Sequence, residues 1–248
     1  MMGDRCACFH RFGFVSFLLA IVILTGCQNR QPPPPEPQDI VARSAARMES
    51  LASFRFLIER QGEPAFLDQE QTLSFRRTEG YFVAPDRAWA VVRVIAPGLV
   101  AEVQVIGIGE DYWETQLLTN AWQRLPRGQG FNPALLFDPR TGFTPILQQD
   151  LSGLQLSGME TLDAFPGKTF YALSGKLDGK RVYDLSYGLM GPAEMDVRLW
   201  IEPEIFNLAR VILFEPSLAG EGRTWQMDFW DYNQDLSVDP PAASPPLP

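Results

Sequence analysis

The hydrophobic pattern of the chain changes period once and then holds it almost to the end. Behind Asp39, the residues Ile40, Val41, Ala45, Met48, Leu51 and Ala52 recur at helical spacing, with Arg43, Arg47 and Glu49 elsewhere around the axis. Asp39 therefore reads as the N-cap of a first amphipathic helix. From Phe54 the period drops to two: Phe54, Phe56 and Ile58 alternate with Arg55, Leu57 and Glu59, the pattern of a half-buried strand. Leu73 and Phe75 alternate with Thr72, Ser74 and Arg76, and residues 80–87 read as a further strand ending in a Pro-Asp turn. In residues 87–95 one face carries Arg87, Trp89, Val91 and Arg93, and the other Ala88, Ala90, Val92 and Val94. Leu99, Ala101, Val103 and Val105 then oppose Val100, Glu102, Gln104 and Ile106. Residues 107–111, with Gly107 and Gly109, supply a hairpin turn, and Tyr112, Trp113 and Trp122 belong to the next hairpin.

Residues 131–151 break the alternation. They hold two short helical pieces, opened by Pro133 and Pro145, with more apolar surface (Leu135, Leu136, Phe137, Phe143, Ile146, Leu147) than such pieces bury on themselves. Alternation resumes in residues 154–159, 168–177, 197–202, 209–214 and 225–230. The pattern predicts an α+β fold: a single strongly curved antiparallel sheet, a half-barrel of about ten strands, with three helices on its concave face. On that face Ala88, Ala90 and Ala101 are small among Val92, Val94, Val103 and Val105. Opposite Leu135, Leu136, Ile146 and Leu147 they are expected to leave a dry apolar cavity able to take acyl chains.

The N-terminus has a separate organisation. Arg5 and Arg11 precede an apolar run over residues 12–24, too short to span a bilayer but of the length of a secretory h-region. Leu24-Thr25-Gly26-Cys27 resembles a bacterial lipobox, which makes residues 1–26 a lipoprotein signal peptide and Cys27 an acylated N-terminus. Residues 27–38 are then the acylated cysteine and a Pro-rich tether, extended and semi-rigid. Residues 39–241 are the folded domain, and residues 242–248 a disordered Pro-rich tail.

Charge and chemistry narrow the function. The formal charge of −9 becomes −10 once the signal, with Arg5 and Arg11 against Asp4, is removed. Such a chain is repelled by phosphate backbones, so no nucleic-acid partner is expected, and attachment to a membrane would rest on covalent lipid. The only histidine is His10 and the other cysteines are Cys6 and Cys8, all in the signal. The exported part thus holds neither a Ser-His-Asp nor a Cys-His set, nor histidine or thiolate ligands for zinc. Asp231-x-Asn233-x-Asp235 opens like a calcium loop, but Leu236 stands where glycine is needed and Ala242 where a bidentate glutamate belongs. Ser174 and Lys176 share a strand face, and Glu110/Glu114 and Glu202/Glu204 form carboxylate pairs; these read as chance and as solvated surface. No catalysis, no metal and no cofactor are expected.

Several stretches, in this order and spacing, resemble one family. They are the segment from Met48 to Phe54, Gly80-Tyr-Phe-Val-Ala-Pro-Asp-Arg87, Val105-Ile-Gly-Ile-Gly-Glu-Asp-Tyr112, Trp122, and Leu136-Phe-Asp-Pro139. Leu199-Trp-Ile-Glu202 and the end from Asp231-Tyr232 to Pro240-Pro241 complete the set. Over residues 39–241 the chain resembles the LppX/LprAFG lipoprotein family, related in fold to the lipoprotein carriers LolA and LolB. The resemblance implies a half-barrel enclosing an apolar cavity for the acyl chains of lipids or glycolipids, carried within the cell envelope without catalytic residues. It implies a membrane partner through the lipid anchor, and an envelope lipid-export partner that the residues do not specify. The alternative that stays open is a ligand-free scaffold or sensor module at the membrane surface.

Cys27→Ala is expected to abolish metabolic labelling of the precursor by a fatty-acid analogue. Labelling that persists in the variant, or never occurs in the wild type, would refute the anchor.

Overall fold

A sheet whose strands alternate apolar and polar residues must cover its apolar face, and here the chain folds back on itself to do so. The computed structural model describes residues 35–127, 130–217 and 220–242. The signal peptide, Cys27, the tether as far as Pro34 and the tail over residues 243–248 lie outside the described residues. Twelve strands form one antiparallel sheet. In chain order they are β1 (Ser53–Gly62), β2 (Ala65–Phe66), β3 (Ser74–Val83), β4 (Arg87–Ala96), β5 (Leu99–Ile108) and β6 (Asp111–Thr115). Then come β7 (Trp122–Leu125), β8 (Leu151–Thr161), β9 (Thr169–Leu177), β10 (Met195–Ile201), β11 (Leu208–Glu215) and β12 (Arg223–Trp230). Across the sheet the order is β7-β6-β5-β4-β3-β1-β12-β11-β10-β9-β8, with β2 paired to β3. A sheet this wide curls under the twist of its strands, and register shifts at Phe75/Arg77, Trp200/Ile201 and twice in β8 add local bends.

The expected half-barrel with helices on one face is the observed arrangement, with four differences of detail. Residues 74–76 and 80–83 belong to the single strand β3, because Gly80 stays extended within it, while Thr72 and Leu73 precede it. Helix α1 (Pro37–Glu49) starts ahead of Asp39: Pro37, whose ring fixes φ and whose missing N–H is no loss there, opens the helix, and Asp39 falls in its first turn. Pro37 and Gln38 are therefore helix and not tether. Helix α3 (Gly179–Leu185) is an element the hydrophobic period does not reveal; its signal is the cap, where Asp178 Oδ1 accepts from the Lys180 N–H at 3.0 Å.

Two elements come from residues 131–151: a 3₁₀ helix over Pro133–Phe137 and α2 (Phe143–Gln149). α1 packs on α2, and both join the inner face of the sheet in one continuous core. The buried stripe of α1 is Ile40, Val41, Ser44, Ala45 and Met48. Two smaller clusters sit apart, and one of them packs Val238 of the C-terminal segment on Ile106 and Trp113. Polar bonds hold that segment: Asn233 Oδ1 accepts from the Ala52 N–H at 2.8 Å, Ser53 Oγ donates to Gln234 O at 2.6 Å, and Arg87 Nη1 donates to Val238 O at 2.8 Å. The Asp231-x-Asn233 rhythm is thus a pair of left-handed turn residues that start this strap.

Register aligns the inward residues in rows. Phe54, Phe82, Ala88, Gly107 and Tyr112 form one row; Phe56, Gly80, Ala90, Val105 and Glu114 the next; Ile58, Thr78, Val92 and Val103 a third. The first two are rich in glycine and alanine, which lets the 3₁₀ helix approach. Asn132, its N-cap, accepts from the Ala134 N–H at 3.0 Å and donates through Nδ2 to Gly109 O at 2.9 Å. Phe137 at its end meets Phe54, Phe56 and Phe82 at ring-centroid distances of 4.9, 5.0 and 5.3 Å. Gly107, expected in a turn, lies in β5 because any side chain there would occupy the space of Asn132: a Cβ would stand 1.9 Å from Asn132 Oδ1 and 3.1 Å from the Ala134 Cβ.

Gly107→Val is expected to destabilise the protein by about 1–3 kcal/mol, read by denaturant unfolding, because the doubly bonded Asn132 cannot yield. An unchanged midpoint would show that the 3₁₀ helix does not depend on this close approach.

Candidate ligand cavity

Where the 3₁₀ helix ends, the inner face is no longer plugged. Beyond the second row lies a cavity of ≈ 670 Å³, a volume within the range of small-molecule sites. Its floor is Thr78, Val92, Val94, Val103 and Val105 from β3, β4 and β5. Ile58, Phe75 and Trp225 form one wall and Leu136 the plug end. Ser186 to Met190, the segment after α3, forms another wall, and Tyr112, Glu114, Thr115, Gln116 and Gln123 line the β6–β7 side. Phe66, Leu67 and Tyr187 line it too while 39, 45 and 56 % exposed, so the mouth has an apolar rim. A pocket of ≈ 50 Å³ behind Leu136 shares Ile58, Leu136, Ser186 and Met190 with it and reaches Phe137, Phe143 and Ile146.

The segment after α3 is pinned from below. Buried Glu215 accepts from the Trp225 indole N–H at 2.8 Å and from the Gly191 N–H at 2.9 Å, and Arg223 Nη1 donates to Leu189 O at 3.3 Å. These bonds hold Leu189 and Met190 over the cavity. Among the described residues no lysine or arginine lines it, and Glu114 is its one charged residue. Glu114 Oε2 accepts from the Tyr112 hydroxyl at 2.9 Å and Oε1 from Gln123 Nε2 at 3.0 Å. Burial, and then the neighbouring Glu114 charge, push the Tyr112 phenol far above its ordinary range, so it remains a donor.

The residues expected at a cavity divide into groups. Val92, Val94, Val103, Val105 and Leu136 line the main cavity together, and Ile146 lines the smaller pocket. Ala88 and Ala90 are fully buried but do not line it, because the space their small side chains leave is taken by the plugged end of the face. Leu147 is core, Leu135 is half-buried beside the plug, and Ala101 borders a shallow groove with Val100, Glu102 and Leu117. Small residues marked where a helix packs, not where volume stays open. Glu114 was read as solvated surface; it faces inward because Tyr112 and Glu114 share one phase of β6 while Trp113 takes the other. That two-residue period was the signal that could have placed it.

The other chemistry has structural explanations. Lys176 is bonded to Asp196 at 2.6 Å, and that hydrogen bond raises its pKa, which makes it a poorer base beside Ser174. Glu202 pairs with Lys168 at 2.9 Å, and Glu110 with Arg127. Among the described residues no helix is long and apolar enough to cross a membrane.

An open antiparallel sheet wrapped on helices, with a largely apolar cavity between them, defines the class of half-barrels. A sequence profile of the LppX_LprAFG lipoprotein family matches residues 36–238, and the chain belongs to that family. Among solved structures it is similar to LprF from Mycobacterium bovis, with 16% identity, a TM-score of 0.64, and 86% of this chain and 100% of that chain covered. It is also similar to the lipoprotein LppX from Mycobacterium tuberculosis, with 16% identity, a TM-score of 0.60, and 82% and 98% covered. At that identity these likenesses establish the fold. No curated protein matches the sequence.

The position of the cavity predicts opposite outcomes at two neighbouring sites. Ala90→Trp is expected to overpack the filled end and cost about 1–3 kcal/mol in thermal or denaturant unfolding. Val103→Trp, half-buried over open volume, is expected to leave the midpoint nearly unchanged. Equal destabilisation by both would contradict the boundary between plug and cavity.

Proposed function

We propose that this protein is a lipid-anchored lipoprotein of the cell envelope that holds the acyl chains of a lipid or glycolipid in its cavity and carries them within the envelope, without catalysis. The observation that carries the reading is the ≈ 670 Å³ space between sheet and helices, walled mainly by valine, isoleucine, leucine and aromatic side chains, with Thr115, Gln116 and Gln123 on its β6–β7 side. An apolar space of this kind left without ligand forgoes dispersion contacts on every wall, and acyl chains restore them. The exposed apolar rim of Phe66, Leu67 and Tyr187 supports the same reading, since a chain sliding in from a bilayer meets no polar barrier there.

Anchoring through Cys27 on the extracytoplasmic side fits this role, because an acylated protein meets its ligand at the membrane surface. The partner that loads or unloads it is an envelope component of lipid export. A scaffold reading would instead require the cavity to serve no occupant.

Native mass spectrometry of protein purified without detergent, after Cys27→Ala removes the anchor, is expected to show adducts of lipid mass at one or two per chain. Val103→Trp should strip them. A bare polypeptide mass for the Cys27→Ala protein with its cavity otherwise unaltered would favour the scaffold.

A further inference from the structure

The lipid-binding reading leaves one polar feature of the cavity without a role. Glu114 projects inward from β6 beside Val105, and its carboxylate accepts bonds only from the Tyr112 hydroxyl and the Gln123 amide. Among the described residues it has no cationic partner. A carboxylate offers about four acceptor positions, so two remain for a ligand.

We propose that the cavity selects amphiphiles whose polar end donates hydrogen bonds and bears no negative charge, a hydroxyl or an ammonium, and that Glu114 sets this preference. The inference rests on the lipid-binding reading and adds the chemistry of the head. A phosphate brought to the β6 side would meet a half-buried carboxylate of like charge. Among the described residues no cation of the lining would offset it. The inward-facing cation nearest by register, Arg60, directs its guanidinium into the carbonyls of Phe75, Gly62 and Glu63 and is not part of the lining. The Tyr112 hydroxyl is already committed to Glu114. A hydroxyl or ammonium head instead finds the free acceptor positions of Glu114.

The test offers the full-length chain, in mixed micelles, equimolar dioleoylglycerol and dioleoylphosphatidic acid, which share acyl chains and differ at the head. Retained lipid is counted by mass spectrometry. The wild type is expected to favour dioleoylglycerol by about tenfold or more, the size of one unscreened charge contact. Glu114→Gln, whose carbonyl oxygen can still accept from Gln123 while its amide N–H donates to the Tyr112 hydroxyl oxygen, should bring the ratio close to one by gaining phosphatidic acid. A wild type that retains phosphatidic acid equally or better overturns the proposal and leaves the carrier reading standing; so does a ratio that Glu114→Gln leaves unchanged. A wild type that retains neither lipid overturns both. The wild-type ratio decides the matter even where a variant fails to fold.

Discussion

The close approach of the 3₁₀ helix to the sheet governs the rest of the structure. A wide antiparallel sheet presents a broad apolar face, and the helices available to cover it are short. Gly80, Ala88, Ala90 and Gly107 lower one end of that face enough for Asn132, Ala134 and Phe137 to fill it. Phe137, edge-on to Phe54 and close to Phe56 and Phe82, then fixes where covering stops. Aromatic contacts of this kind add about 0.5–1.5 kcal/mol each beyond burial, and the plug is accordingly stiff. Past it, the valines of β4 and β5 have no helix above them, and the cavity follows from that shortfall.

The remaining boundary of the cavity is polar. Glu215 ties the segment after α3 to Trp225, so the roof is anchored by charge-assisted bonds to backbone and indole, not by packing alone. The contrast with Glu114 is instructive. Glu215 is buried and has Arg223 at 3.7 Å beside its two hydrogen bonds; Glu114 is half-buried at the cavity and has two hydrogen bonds but, among the described residues, no cationic partner. Two carboxylates of the same chemistry thus take a structural and a ligand-facing position according to what surrounds them.

Much of the fold was legible because strand period is set by local geometry. The alternation of Phe54, Phe56 and Ile58, or of Ala88 to Val94, reports directly which side chains point inward. The LppX/LprAFG resemblance, read from turns and strand ends, agrees with family membership over residues 36–238. What the pattern could not convey was depth along a face. Ala90 and Val92 share a phase, yet one lies under a helix and the other under open space, and only tertiary packing separates them. α3 escaped notice since its buried surface is small, with Gly179 and Val182 its only buried residues. Glu114 was misjudged because a charged residue on an acidic chain is ordinarily solvated, and the phase of a five-residue strand is a weak counter-argument.

The central claim is that acyl chains occupy the space beside Trp225. Of the six tryptophans, Trp225 alone lines the cavity, whereas Trp113 and Trp200 belong to the clusters apart from the main core. Fluorine NMR of 5-fluorotryptophan-labelled protein, titrated with a fatty acid brominated along its chain, therefore tests the claim at one atom. The account predicts that the Trp225 resonance, assigned by its loss in Trp225→Phe, shifts or broadens saturably while the others hold. A titration that moves the other tryptophans and leaves Trp225 unaffected would contradict it.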